Sequence, residues 1–464
     1  MKINPTRIAP LFFLMLLLAG CAPFKQYRTN YDLCVNPSAT FAAKCDLNAL
    51  QQLPATGGNA DYLLGLVEFD DQGQLWDRKQ MWAVMDNFSA AAAQQDLLIV
   101  VFVHGWNHSA APGDLILDKF RGILAKLSES EALVSRSTGM PERKVAGVYL
   151  GWRGGSITTP GINGVTFWER KNTAGKVGRG GVPEVLIRLE QLKLAKVGME
   201  QGKSATSLAV IGHSFGAEIV YSALSEILEN RFVQTAGPAG QQSDAGGFGN
   251  LVVLINPAFE SELFAPLSDI SAERGLYFKS QLPLLAVLTS DADYATRFAF
   301  PLGRFFSTVF EKERDTHRFN ATTRQQETIA ESKANMIALG HFQPYETHRL
   351  YPANAQQRHE VEELTAMDSV RSAFAFADAW EKDTPGSKIP VAGLTLERNT
   401  VSAGRNPYLV VKTSDDLITE HNDIDDPRII EFIQQLIIVS ALPGEQKASM
   451  ARAFGVVAVP AGKK

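Results

Sequence analysis

Short runs rich in Val, Ile and Leu recur along the chain and alternate with longer amphipathic stretches. The runs cover residues 97–103, 145–150, 208–211, 251–255, 284–288 and 408–411. Each has the length and β-branched content of a buried strand. Stretches between several of them, at 114–127, 183–200 and 215–229, place apolar residues at helical spacing. This alternation predicts an α/β fold: a mostly parallel central sheet with helices on both faces. Functional groups in such sheets gather just past the C-terminal ends of the strands. Residues 62–85 predict two further strands around the turn Asp70-Asp71-Gln72-Gly73. A last helix is announced by Asp426 as N-cap and Pro427 at the first helical position, followed by Ile429, Ile430, Ile433, Leu436 and Ile437. Residues 235–249, rich in Gly, Ala and Gln, read as a surface loop, and residues 296–405 as a long insertion before the last core strand.

Length and charge narrow the picture. The chain has 464 residues, 45% of them apolar and 20% charged, enough for one large domain or two ordinary ones with a sizeable core. A net charge of -5 gives no basic surplus for a nucleic-acid partner. The first residues are patterned differently. Lys2 and Arg7 precede an apolar run at 11–18 that is too short to span a bilayer and reads as a signal segment. It ends in Leu18-Ala19-Gly20-Cys21, which resembles the lipobox of bacterial lipoproteins. That resemblance implies removal of 1–20, acylation of Cys21 and a membrane partner reached through the lipid. Ala22, in place of an Asp, resembles lipoproteins sorted to the outer membrane, facing the periplasm. Residues 21–60 then read as a polar tether, 61–440 as the folded domain and 441–464 as a tail. Cys34 and Cys45 form an even pair in an exported chain, hence a disulfide candidate; two buried thiols are the alternative.

The chemistry concentrates at the end of the third run. Gly212-His213-Ser214-Phe215-Gly216 has the spacing of a nucleophile elbow, G-x-S-x-G. A serine on a tight strand-to-helix turn needs small residues two positions before and after it. An apolar strand ends at Gly212, and Ile219, Val220, Ala223, Leu224, Ile227 and Leu228 form a helical stripe after Ser214. The stretch resembles the α/β-hydrolase family and its poorly characterised bacterial branch, over roughly residues 62–440 with the insertion in doubt. The resemblance implies a Ser-His-Asp hydrolase acting on an acyl ester, without cofactor. It implies an oxyanion hole from the amides of Phe215 and of Trp106, in Val103-His104-Gly105-Trp106-Asn107-His108. His104 and His108 lack a third ligand at useful spacing, so no metal site is expected.

The remaining roles follow the family's chain order of serine, acid, histidine. Asp293, in Thr289-Ser290-Asp291-Ala292-Asp293, is the expected acid, with Asp291 as the alternative. His421 lies between the last strand and the last helix and is the expected base; His341 and His348 compete. Trp106, Trp152, Phe215 and Phe259 fall near strand ends and suggest an apolar pocket. Phe298, Leu302, Phe305, Phe306, Val309 and Phe310 form a near-helical stripe in the insertion, read either as ordinary core or as a lid. Two other classes stay open: a catalytically silent binding lipoprotein of the envelope, and an acyltransferase or peptidase on the same residues.

Overall fold

The structure is a computed structural model that describes residues 22–35, 43–55, 60–138, 141–157, 166–235, 243–308, 311–354, 366–424 and 426–441. Cys21, and with it the expected lipidation site, lies outside them, as do the signal segment and the tail.

The strands of the described residues are β1 (Asn30–Val35), β2 (Asn48–Pro54), β3 (Asp61–Glu68), β4 (Leu97–Val103), β5 (Lys144–Gly151), β6 (Ser207–His213), β7 (Leu251–Ile255), β8 (Leu285–Ser290), β9 (Asp315–Asn320), β10 (Gln325–Ala330), β11 (His348–Pro352), β12 (Lys388–Val391), β13 (Leu394–Arg398) and β14 (Tyr408–Thr413). The α-helices are α1 (Arg78–Gln94), α2 (Leu115–Thr138), α3 (Phe167–Arg179), α4 (Val182–Met199), α5 (Phe215–Val233), α6 (Ala265–Arg274), α7 (Phe300–Thr308), α8 (Glu331–Met336), α9 (Ala366–Glu381) and α10 (Pro427–Ala441).

Twelve strands form one sheet in the order β1-β2-β3-β5-β4-β6-β7-β8-β14-β11-β13-β12, and β9 and β10 form a separate hairpin. From β3 to β11 every neighbouring pair is parallel. The sheet is buried on both faces, and the alternation of side chains divides each strand between two cores. Leu97, Ile99, Val101 and Val103 of β4 pack with α1, α3, α4 and α5. Leu98, Val100 and Phe102 pack with α2, α9 and α10 on the other side.

The strand order creates a crevice. β4 is flanked by β5 on one side and β6 on the other. The chain leaves β4 through α2 toward β5, and leaves β6 through α5 toward β7. Two connections that diverge from adjacent strand ends leave a gap at the carboxyl edge, where ligands bind in open α/β sheets.

Three sequence expectations need correction. The second strand expected within 62–85 is the first part of α1. Asp77 caps it, accepting from the Lys79 N–H at 2.8 Å, and Met81, Val84, Met85 and Phe88 bury a helical stripe against β3. The stretch read as a tether carries β1 and β2 instead. Its backbone is tied to the body where the buried Glu68 carboxylate accepts the Tyr27 and Arg28 N–H groups at 2.8 Å each, and Cys34 and Cys45 are joined by a disulfide. The insertion, in turn, contributes β11, β13 and β12 to the main sheet. These strands are short and alternate in exposure, so they show no unbroken apolar run.

The sheet ends differently at its two margins. Edge strand β1 exposes Leu33 and Val35, whereas edge strand β12 is four residues long and contains Pro390. Among the described residues no helix is long and apolar enough to cross a membrane.

Candidate active site

Ser214 sits between β6 and α5 with φ 57° and ψ -121°, a backbone conformation costly for a residue with a side chain. The turn is held by the Ser214 N–H, which donates to Ile255 O at 2.9 Å, and by Ala217 and Ala258, whose N–H groups donate to Ser214 O at 3.0 and 3.3 Å. The glycines on either side are required sterically. A Cβ on Gly212 would come 2.6 Å from Gly216 O, and one on Gly216 would meet the Val103 and His104 carbonyls. The loop after β4 presses on the same turn, since a Cβ on Gly105 would lie 2.7 Å from Ser214 Cβ.

His421, in the loop between β14 and α10, reaches across to this serine. Its Nε2 is 2.7 Å from Ser214 Oγ and its Nδ1 is 2.8 Å from Asp293 Oδ2. Asp293 is fully buried and follows β8. It also accepts the Thr296 hydroxyl and, at 3.1 Å, the Thr296 N–H. Burial works to raise this carboxyl, but the hydrogen bonds and charge of His421 and the two bonds from Thr296 outweigh it and hold it below its ordinary value. Asp291, the alternative acid, lies at the surface in an ion pair with Lys412 at 3.0 Å and does not reach His421.

Several partners of this arrangement carry no motif in the sequence. The His421 carbonyl accepts two side-chain donors at 3.0 Å each, His213 Nε2 and Asn256 Nδ2. His213 is the variable residue inside the elbow, and Asn256 follows β7 with a positive φ of 44°. Burial, joined by the nearby His421, pushes His213 down to about 3, which keeps it neutral. On the other side Thr296 links Asp293 to His341. The His341 Nε2–H donates to Thr296 Oγ at 2.8 Å, and Lys412 Nζ donates to His341 Nδ1 at 2.9 Å. Burial and then the Lys412 charge push His341 down to about 3, so it too is neutral. His341 is thus placed behind the acid and not beside Ser214. His348 is buried on β11 with its Nδ1 2.8 Å from Thr347 Oγ, away from the serine. The only cheap sequence signals for these partners are positional: Asn256 directly after an apolar run, and Thr296 three residues past Asp293.

Among the described residues neither the Phe215 nor the Trp106 amide N–H has a hydrogen-bond acceptor, while the next amide, Asn107, donates to Gly154 O at 3.1 Å. The His104 side chain is spent on structure. Its Nδ1–H donates to Gly105 O at 2.9 Å, its Nε2 accepts the Trp152 N–H at 3.1 Å, and burial pushes it down to about 4. His108 pairs with Asp114 at 3.0 Å. Among the described residues no group of three His, Cys, Asp or Glu is arranged to hold a metal. Of the four aromatic residues expected to line a pocket, Trp152, Phe215 and Phe259 are fully buried. Trp152 stacks on His104 and Phe259 on Tyr221. Trp106 is partly exposed, edge-on to Phe167, and its indole N–H has no partner.

No protein-family model matches the chain, and no curated protein matches it. Among solved structures it is similar to Trichoderma reesei cutinase in complex with a C11Y4 phosphonate inhibitor, at 15% identity and a TM-score of 0.16, over 39% of this chain and 65% of that one. The match spans less than two-thirds of the cutinase, and a likeness at this level says nothing about mechanism or substrate.

Proposed function

We propose that the chain is a serine hydrolase of the α/β-hydrolase type that cleaves carboxylic esters through an acyl-enzyme, anchored by lipid on Cys21 to the outer membrane and facing the periplasm. One observation carries the enzymatic reading: the Ser214 Oγ, His421 and Asp293 chain of bonds at 2.7 and 2.8 Å, built on a strained turn at the crevice of the sheet.

The steps follow from that geometry. His421 Nε2 takes the Ser214 hydroxyl proton as Oγ attacks the acyl carbon, and the carbonyl electron pair moves onto oxygen. The amides of Phe215 and Trp106 are the donors for that oxyanion, each worth about 10²–10³ in rate in comparable sites. The pair returns, the C–O bond to the alcohol breaks, and the alkoxide takes the proton from His421. Water, deprotonated by the same imidazole, then attacks the acyl-enzyme and frees the acid and Ser214. Asp293 stays ionised throughout, fixes the tautomer of His421 and offsets its transient charge. No step calls on a cofactor.

A fluorophosphonate probe and a series of p-nitrophenyl esters of increasing chain length test this reading. Wild type should take up the probe and turn over the esters, while Ser214→Ala should lose labelling and Ser214→Ala and His421→Ala should each lose at least about 10³-fold in rate. A wild-type chain that neither labels nor hydrolyses any ester of the series would leave a silent envelope scaffold in its place.

A further inference from the structure

The segment that follows Asp293 is apolar on both sides. Residues Ala295–Ala299 form one π-helical turn that runs into α7. Its inner side is fully used: Thr296 bonds Asp293, Phe300 is buried, and a Cβ on Gly303 would overlap the Trp168 ring. Its outer side carries Tyr294, Phe298, Leu302 and Phe305, exposed by 70, 52, 64 and 53%, with the exposed Arg297 guanidinium over the Phe298 ring at 5.2 Å. A helix whose inner stripe is already packed and whose outer stripe is also apolar has the makings of a contact surface.

The described chain starts against the loop that meets the first turn of α3, and that turn also packs on α7. The Ala22 N–H donates to Ser156 O at 2.8 Å, and Ser156 Oγ donates to Glu169 Oε2 at 2.8 Å. Three successive residues at the start of α3 therefore join three places. Glu169 holds the Ser156 loop that receives Ala22. The Trp168 ring packs on Phe300 of α7, with centroids 5.6 Å apart. The Phe167 ring packs on Trp106 and Phe215, at 5.4 and 4.8 Å. Ala22 is thus tied to the first turn of α3, which packs on both α7 and the elbow.

We propose that Tyr294, Phe298 and Leu302 lie in the lipid surface that holds the Cys21 anchor, so that the Ser214 end of the sheet faces the bilayer. The proposal rests on the lipid-anchor part of the proposed function and not on the triad. It deepens that function by naming the substrate class: acyl esters presented at the lipid surface. The diacylglyceryl group of such an anchor holds the chain to the bilayer, and an interfacial apolar face fixes which side of the protein meets it.

The test uses the full lipidated chain reconstituted in vesicles of phosphatidylethanolamine and phosphatidylglycerol. Cys34 and Cys45 are bonded to each other and Cys21 is acylated, so Leu302→Cys takes a nitrobenzoxadiazole label, with Leu194→Cys on α4 as the distant exposed control. Spin-labelled lipid should quench the label at 302 at least about threefold more than the one at 194. In a Phe298→Glu, Leu302→Glu double variant, hydrolysis of dissolved p-nitrophenyl butyrate should stay within about twofold, while that of a long-chain ester dispersed in the same vesicles should fall about tenfold or more. Equal quenching at the two positions overturns the proposal. So does a concentration-dependent blue shift at 302 without vesicles, which would assign the stripe to a second copy. Release of the whole chain from the vesicles removes the anchor and the proposal together, and leaves the dissolved-ester assay to report on the triad by itself.

Discussion

His421 is held by its backbone as much as by its ring. Two donors, His213 and Asn256, converge on its carbonyl, and Asp293 orders its imidazole. Asn256→Ala removes one clamp without touching the reacting atoms. It should lower kcat about tenfold with little change in KM, because a loosened imidazole misses the serine proton and leaves binding intact; steady-state rates on a soluble ester decide it, and a pure KM effect would count against the clamp. Gly216→Ala acts on the turn itself. Its methyl would enter the space of the Val103 carbonyl, and the variant should lose more than about 2 kcal/mol in urea unfolding together with its probe labelling. At this scale the elbow is legible in the sequence because steric need writes glycine into fixed positions. Asn256 and Thr296 are not, because a side chain that serves through a carbonyl or a neighbouring carboxylate has no spacing rule.

The elements are readable to the extent that they are buried. β4, β6, β7 and β8 lie in the middle of the sheet and show as unbroken apolar runs; β11, β12 and β13, near one edge, do not. α1 escapes a sequence reading although Asp77 and the Met81, Val84, Met85, Phe88 spacing announce it, because the Asp- and Gly-containing turn just before it favours a hairpin. Asp77→Ala should therefore cost about 1 kcal/mol, the worth of an N-cap, with ester hydrolysis untouched; a larger loss would mean that its bond from the Tyr31 hydroxyl matters more than the cap. The turn after β8 is a functional element in its own right. Thr296→Val cuts the link between Asp293 and the neutral His341, which Lys412 backs, while keeping the shape. Loss of one of three donors to the carboxylate should lower kcat several-fold, about 3–10. Thr296→Ser, which restores the hydroxyl, should recover most of it.

For the molecule as a whole, burial sets the response to acid. Burial holds His104, His213 and His341 at about 4, 3 and 3, and His348 well below its ordinary value. Unfolding returns each to the ordinary histidine range. Between the two values the unfolded chain binds more protons, so stability is lost as pH falls below about 6.5, by up to ~1.4 kcal/mol per pH unit for each histidine. Glu218 opposes this. Burial raises it to about 7 against the pull of Lys171, so its protonation favours the folded chain as pH falls from there toward its unfolded value. Burial also raises Glu68, Glu229, Glu262, Asp269 and Glu346, though not as far. These carboxyls do not balance four imidazoles, and the urea midpoint at pH 5 should lie below that at pH 8; an equal or higher midpoint at pH 5 would refute the neutral, buried state of these rings.

The open sheet has another consequence at this scale. Held to a membrane as proposed, the molecule would meet its own copies at high local density, and an open strand margin invites templated growth into polymers. At β12 the invitation is weak, since Pro390 withholds a donor from an already short ladder. β1 offers Leu33 and Val35 along a six-residue margin. Crowding damage to this protein would start from that one side.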